Sequence, residues 1–329
     1  MQRTSGVSVA LATFNGEQYL ADQVSSILHQ TVVPDEIVLA DDGSSDHSID
    51  VVRSICYQNA SATTKLVILP AAGRLGVTGN FERAIRAAQY DTVLLSDQDD
   101  IWHPDKVEKL IGAVGNERGA VLAHSDARLI DGGGASLGSN LFDWLEVSAH
   151  DQVQLSGPSA FDLLLRRNVV TGATAVINRQ LITCALPFPQ EWLHDEWLAI
   201  IAAALGTVIP IREQLIDYRL HGKNQVGVQQ PTLRNKINRV LATRGERNQK
   251  LWKRSQILYS RLSELDEKNT NAIIFKAGSK LNFEKKRALL PPRRISRIRP
   301  VASLMFAGEY STYASRGRFD AVRDLLQPH

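Results

Sequence analysis

Asp97, Asp99 and Asp100, gathered around Gln98, put three carboxylates in four positions directly after the apolar run Thr92 to Leu95. Such charges repel one another unless a cation neutralises them. A hard divalent ion, Mg²⁺ or Mn²⁺, takes oxygen ligands and commonly shares a few carboxylates with substrate phosphates, so the cluster reads as a site for a metal and a nucleotide diphosphate. The alternative is a helix cap, with Asp99 or Asp100 answering the positive N-terminus of the next helix.

Asp41 and Asp42, ahead of Gly43 and Ser44, make a second acidic point after the apolar run Glu36 to Ala40. A carboxylate there can accept hydrogen bonds from a nucleobase or ribose, or it can close an Asx-turn and cap the following helix. Asp195, between His194 and Glu196 at the head of an apolar segment, suits a general base and equally suits the first turn of a helix. His221 follows an apolar run in a polar loop, where a histidine serves as a metal ligand or as an ordinary surface residue. Trp192 and Trp197 offer faces for a sugar ring or bulk for a core.

These residues need elements to hold them. Val7 to Ala12 and Glu36 to Ala40 read as short strands, and Leu20, Val24, Ile27 and Leu28 recur at helical spacing between them. Helical periodicity returns over Ser48 to Ile55, a strand over Lys65 to Leu69, a helix over Phe81 to Ala88 and a strand over Thr92 to Leu95. The alternation predicts an α/β fold with a mostly parallel, doubly wound sheet, whose ligands sit beyond the carboxyl ends of the strands. Both acidic points fall at such ends, so one cleft should receive them.

Further along, Lys106 to Val114 reads as a helix, Ala120 to His124 as a strand, and Asp131 to Asn140 as a hairpin or a mobile loop. Asn168 to Ile177 carries the small residues Thr171, Gly172, Ala173 and Thr174 and reads as a buried strand approached closely by a ligand or by backbone. The helix opening at His194 runs to Leu205, and Thr207 to Ile211 reads as another strand.

The order of these clusters resembles family 2 glycosyltransferases: Val7 to Gly16, then Asp41-Asp42-Gly43-Ser44, Leu94 to Trp102, and His194-Asp195-Glu196-Trp197. Gly79-Asn80-Phe81-Glu82, Val170 to Thr174 and Tyr218-Arg219-Leu220-His221-Gly222 look most like the rhamnosyltransferase branch. The resemblance implies a GT-A fold over residues 1–227, with a nucleotide half to about 105 and an acceptor half after it. It also implies roles. Thr13 would border the nucleobase, Asp41 or Asp42 would bind base or ribose, and Asp97 would contact the ribose side of the donor. Asp99 would hold the metal, joined by His221, while Asp195 would deprotonate the acceptor hydroxyl. Asn80, Thr171, Gly172 and Trp197 would lie toward the sugar or acceptor. The implied donor is a nucleotide diphosphate sugar, with dTDP-rhamnose suggested by the branch. The implied acceptor is a glycan or a lipid-linked saccharide.

Composition bounds the rest. The chain has 329 residues, 43% hydrophobic and 22% charged, which excludes wholesale disorder, collagen-like repeats and a disulfide-dense scaffold. From Pro231 onward there are 22 Lys/Arg against 8 Asp/Glu, whereas the preceding residues carry 16 against 27. An acidic core followed by a basic, helical region at 228–329 suggests two partners of opposite character. Basic residues interspersed with Leu251, Trp252, Ile257 and Leu258 suit a helix lying on an anionic membrane surface, or else a solvated bundle. No nucleic-acid motif accompanies the charge. Cys56 and Cys184 stand alone, and no secretion signal or spanning helix is expected, which points to a cytoplasmic protein, peripheral at the inner face of the membrane. Two other functions compete: a sugar-phosphate nucleotidylyltransferase, whose Gly-rich basic N-terminal loop Ala12 to Gln18 lacks, and a non-catalytic sugar-nucleotide binding module.

Overall fold

The computed structural model of the chain describes residues 6–59, 63–221, 244–265 and 271–328. The chain divides into two units, Met1–Ala160 with Val169–Val228, and Phe161–Asn168 with Gln229–His329.

The first unit is built on strands β1 (Val7–Thr13), β2 (Glu36–Asp41), β3 (Lys65–Ile68), β4 (Thr92–Ser96), β5 (Ile101–Trp102), β6 (Ala120–Ile130), β7 (Ser136–Asn140), β8 (Ala175–Asn178) and β9 (Thr207–Arg219). Their order is β3-β2-β1-β4-β8-β6-β9-β5, with β7 paired to β6. Strands β3, β2, β1 and β4 are all parallel. Beyond β4 the sheet becomes mixed: β8 runs antiparallel to both β4 and β6, β9 is parallel to β6, and β5 is antiparallel to β9.

Strand β1 is buried along its whole length because helices cover both faces of a parallel sheet, which is why its sequence is a continuous apolar run rather than an alternating one. Helix α1 (Glu17–Leu28) turns Leu20, Val24, Ile27 and Leu28 inward, as their spacing requires. Helices α2 (Ser48–Gln58), α3 (Gly76–Ala87) and α4 (Lys106–Asn116) complete this half, and α5 (Leu141–Trp144), α6 (Ala149–Leu155), α8 (Arg179–Ala185) and α9 (His194–Leu205) follow, with α7 (Ala160–Arg166) passing into the second unit.

One open reading is settled and two expectations are modified. Asp131 to Asn140 forms a hairpin, with β7 returning along β6. Ala120 to His124 and Thr207 to Ile211 are the first parts of longer strands that stay paired through irregular register as far as Ile130 and Arg219. Asn168 to Ile177 is not one strand. A 3₁₀ turn at Gly172–Thr174 precedes β8, so its small residues make a tight corner.

In the second unit, α10 (Arg244–Glu264), α11 (Asn271–Ala288), α12 (Arg294–Phe306), α13 (Glu309–Tyr313) and α14 (Arg318–Leu326) surround a small core of Phe283, Leu290, Val301, Leu304 and Tyr310. Among the described residues, no helix is long and apolar enough to cross a membrane.

Candidate active site

Parallel pairing explains why separated acids meet. Strand β1 lies between β2 and β4, with Thr13 opposite Asp41 and Leu11 opposite Ser96, so all three strands deliver their carboxyl ends to one edge. The Asp97–Asp100 loop leaves β4 there. Gln98 fastens it, accepting from the Thr13 hydroxyl and the Phe14 N–H at 2.8 Å each. Gly16 allows this approach, since a Cβ on it would lie 2.5 Å from the Gln98 Oε1.

The two acids at the carboxyl end of β2 shape the rim. Asp41 accepts from the Gly43 and Ser44 N–H groups, at 3.1 and 2.9 Å, and from the Ser44 hydroxyl, closing an Asx-turn. Asp42 accepts from the Leu75 and Gly76 N–H groups at 2.5 and 3.0 Å, and so caps α3 rather than the helix that follows it in sequence. Asn80 is buried and donates to the main-chain oxygens of Thr13 and Ala40, at 3.2 and 2.7 Å. It is a tie between strand ends.

Strand β9 brings the remaining parts. The Arg219 side chain is buried and donates to the Asp99 carbonyl at 2.8 Å, while its N–H donates to the Asp100 carboxylate at 3.0 Å. Two residues on, the His221 Nε2 stands 2.7 Å from the Asp99 Oδ2, its ring stacked on Tyr19 with centroids 4.9 Å apart. The two residues expected to share a metal are therefore neighbours. The carboxylate oxygen suits Mn²⁺ or Mg²⁺, and an imidazole nitrogen beside it fits Mn²⁺ better than the harder, oxygen-preferring Mg²⁺. The Asp100 Oδ2 is buried with no hydrogen-bond partner, and that orphaned oxygen adds to the fit. Among the described residues no three His, Cys, Asp or Glu side chains form a ready metal cage.

Asp195 opens α9 and accepts from its neighbour Glu196 N–H at 2.7 Å and from the Gly172 N–H at 3.3 Å. Gly172 has no room for a side chain, because a Cβ would sit 2.5 Å from the His194 Nε2, whose ring is stacked on Phe81 at 3.9 Å. Thr171 contributes its carbonyl to the 3₁₀ turn. Ala173, within that turn, accepts at 2.6 Å from Lys106 Nζ, which also lies 3.9 Å over the Trp102 ring.

Electrostatics joins these pieces. Close surroundings, then the charges of Asp99 and Asp195, push the Asp97 carboxyl up to about 7, with the Lys106 ammonium only partly offsetting them. Burial, then Asp99 and Asp97, raises Asp100 far above the carboxylate range, while burial lowers the Lys106 amine against the pull of the same acids. Burial raises the Tyr218 phenol too, and the charges of Asp100, Asp97, Asp99 and Asp195 add to the effect. Asp99 and Asp195 thus act on one neighbourhood.

One expectation is corrected. Trp197 is fully buried, its indole N–H donating to the Ala185 carbonyl at 2.8 Å and its ring against Trp192 at 5.6 Å. It is a core residue with no face for a sugar. Sequence reasoning gave no role to Lys106, Gln98 or Arg219; of these Gln98 and Arg219 stood within recognised motifs and Lys106 did not. It also left Arg74 unassigned, yet the Arg74 guanidinium lies 3.9 Å from the Phe14 ring centroid, a cation–π pair at the rim.

One sheet edge thus collects the carboxylates of Asp41, Asp42, Asp97, Asp99 and Asp100, with His221 beside Asp99. Residues 8–171 match the model of Glycosyl transferase family 2. The chain is 28% identical over 229 residues to the dTDP-rhamnosyl transferase RfbG of Shigella flexneri, covering 66% of this chain and 73% of that one. The fold is similar to that of S. aureus TarS 1-349 in complex with UDP-GlcNAc, at 13% identity and a TM-score of 0.59 over 97% of this chain and 89% of that one. It is also similar to the mannosyltransferase PcManGT from Pyrobaculum calidifontis in complex with GDP-Man and Mn²⁺, at 17% identity and a TM-score of 0.53 over 96% and 79%. The chain belongs to the family 2 glycosyltransferases and is a glycosyltransferase of GT-A fold.

Proposed function

We propose that the protein moves a sugar from a nucleotide diphosphate donor to a hydroxyl of a glycan or lipid-linked acceptor, with inversion, in cell-surface polysaccharide synthesis. The observation that carries this is the meeting of Asp97, Asp99 and Asp195 in one electrostatic neighbourhood beyond the carboxyl ends of β1 and β4. A binding module would have no use for Asp195 there.

In this reading Thr13, with the turns made by Asp41 and Asp42, frames the nucleoside, and Phe14 under Arg74 gives the base a face to stack on. Asp97 takes the ribose side. Asp99 and His221 would hold Mn²⁺ or Mg²⁺, which neutralises charge on the departing diphosphate when bound. The complexes of PcManGT with GDP-Man and Mn²⁺ and of TarS with UDP-GlcNAc support such a donor and ion. Likeness to RfbG supports dTDP-rhamnose as the donor to test first.

Asp195, held by the Gly172 and Glu196 N–H groups, takes the acceptor proton as the acceptor oxygen forms its bond to the anomeric carbon and the bond to the diphosphate oxygen breaks. General-base help of this kind is worth typically 10²–10⁴-fold. Lipid-linked acceptors would place the enzyme against a membrane. Binding of dTDP-rhamnose, UDP-GlcNAc and GDP-Man, each with and without Mn²⁺, tests the reading. One donor should bind tightly only with the ion, and Asp99→Ala should abolish that difference. Equal, ion-independent binding of all three would contradict it.

A further inference from the structure

Arginine and aromatic residues in the second unit sort into an unusual pattern. Helix α12 buries Arg297, Val301 and Leu304 on one side. Ile295, Ile298, Ala302, Met305 and Phe306 recur at i, i+3, i+7, i+10 and i+11, which places them on a second stripe about 100° wide. That stripe faces outward, with Ile295 83% and Phe306 93% exposed. Helix α14 repeats the device: Asp320, Ala321 and Asp324 are buried, while Phe319, Val322 and Leu326, at i, i+3 and i+7, are exposed. A soluble helix with two apolar faces leaves one of them without a partner.

Charge chooses the partner. The three acids after Leu289 are all neutralised internally, Glu309 by Lys286 at 2.7 Å, Asp320 by Arg323 at 3.1 Å and Asp324 by Arg287 at 2.6 Å. Arg293, Arg294, Arg299, Arg316 and Arg318 are exposed and make no ion pair among the described residues. Apolar stripes flanked by unpaired arginines fit an anionic interface, where the rings sink to the headgroup level and the guanidinium groups meet phosphates. A second copy of the chain would bring like charges together. The platform is fixed, since the Arg297 guanidinium donates to the Pro291 carbonyl at 2.8 Å and to the Gln327 carbonyl at 2.7 Å, tying α12 to the end of α14.

We infer that the exposed stripes of α12 and α14, with their arginine rim, are the surface by which the protein docks on an anionic lipid bilayer. This deepens the membrane-proximal reading above and rests on it. It also moves the contact from the helix the sequence suggested. In α10, Leu258 and Leu262 are buried and Leu251, Trp252 and Ile257 are partly covered, so that helix spends its apolar face inside the unit.

Co-sedimentation of the full chain with phosphatidylcholine vesicles, with and without phosphatidylglycerol, tests the inference. The wild type should sediment only with the anionic vesicles. Phe306→Ser with Phe319→Ser should weaken binding at least tenfold. Neutralising Arg293, Arg294 and Arg299 to Gln should weaken it about a hundredfold. Lys250→Gln in α10 should change nothing. Circular dichroism establishes that each variant is folded, and should the double variant fail to fold, Ile295→Ser tests α12 alone. Wild-type-like binding by the stripe and arginine variants would overturn this surface while leaving membrane association standing. No sedimentation of the wild type would overturn both. A dimer that Phe306→Ser dissolves would instead assign the face to a second copy.

Discussion

Lys106 shows what a buried charge does for a site it does not enter. Its ammonium is fully enclosed, donates to the Ala173 carbonyl and offsets Asp97 and Asp100 from one side. Lys106→Met should therefore leave the Ala173 carbonyl without its buried donor and push the Asp97 and Asp100 carboxyls up further, at a cost of about 1–3 kcal/mol in urea unfolding. Adding Asp100→Asn to that variant should recover part of the loss; no recovery would mean that Lys106 acts by packing alone. The acids themselves were legible in the sequence, because clustered carboxylates at strand ends are conspicuous. Lys106 was not, since one lysine at a helix start looks like any surface residue until the fold buries it. Trp197 erred the other way: an aromatic beside Asp195 suggests a sugar platform, yet helical spacing turns it into the core.

At the scale of elements, the corner at Gly172–Thr174 sets the position of Asp195. Gly172→Ala would drive a methyl into the His194 ring, which is wedged against Phe81, so the turn or α9 must shift. Overpacking of this sort costs about 1–3 kcal/mol, and transfer activity should fall with it. A variant with full activity and an unchanged melting midpoint would show that the corner is slack. The parallel strands were readable because continuous apolar runs ending in acids mark them. The mixed half was harder. Strand β9 continues past Arg212 and Glu213, which fall out of register with β6, because cross-strand pairing, which no local pattern reveals, resumes with Gln214 opposite Asp126. The corner was read as strand because small and β-branched residues favour both, and only the packing of His194 and Lys106 decides.

Across the whole molecule, two histidines make folding sensitive to acid. Burial holds His124 and His194 down to about 3, against an ordinary value of 6.5, and neither ring nitrogen of either has a hydrogen-bond partner. The unfolded chain takes up these protons from about pH 6.5 downward, whereas the folded chain resists until about pH 3. The histidines' share of the stability is thus whole above 6.5 and drains as pH falls, by about 2 kcal/mol per histidine on reaching pH 5. Asp97 and Asp100, raised in the folded chain, gain stability over the same window and oppose this loss, so the histidine share is read by difference: between pH 7.5 and 5.0 His124→Leu should lose about 2 kcal/mol less in urea unfolding than the wild type, and an identical pH response of the two would contradict it. The basic excess after Pro231 likewise has an inside. Asp324 is buried and accepts from Arg247, Asn248, Arg287 and Tyr310, so part of what composition presents as a polycation is core. Composition located the opposition of charge between the two regions, but not which arginines face outward. The central claim is that separated acids gather around one donor and leave Asp195 to activate the acceptor. It is tested most directly by measuring donor affinity and turnover together in Asp195→Asn, which keeps the shape of the side chain. Donor affinity should stay within about twofold of wild type while turnover falls 10²–10⁴-fold; undiminished turnover would contradict the account.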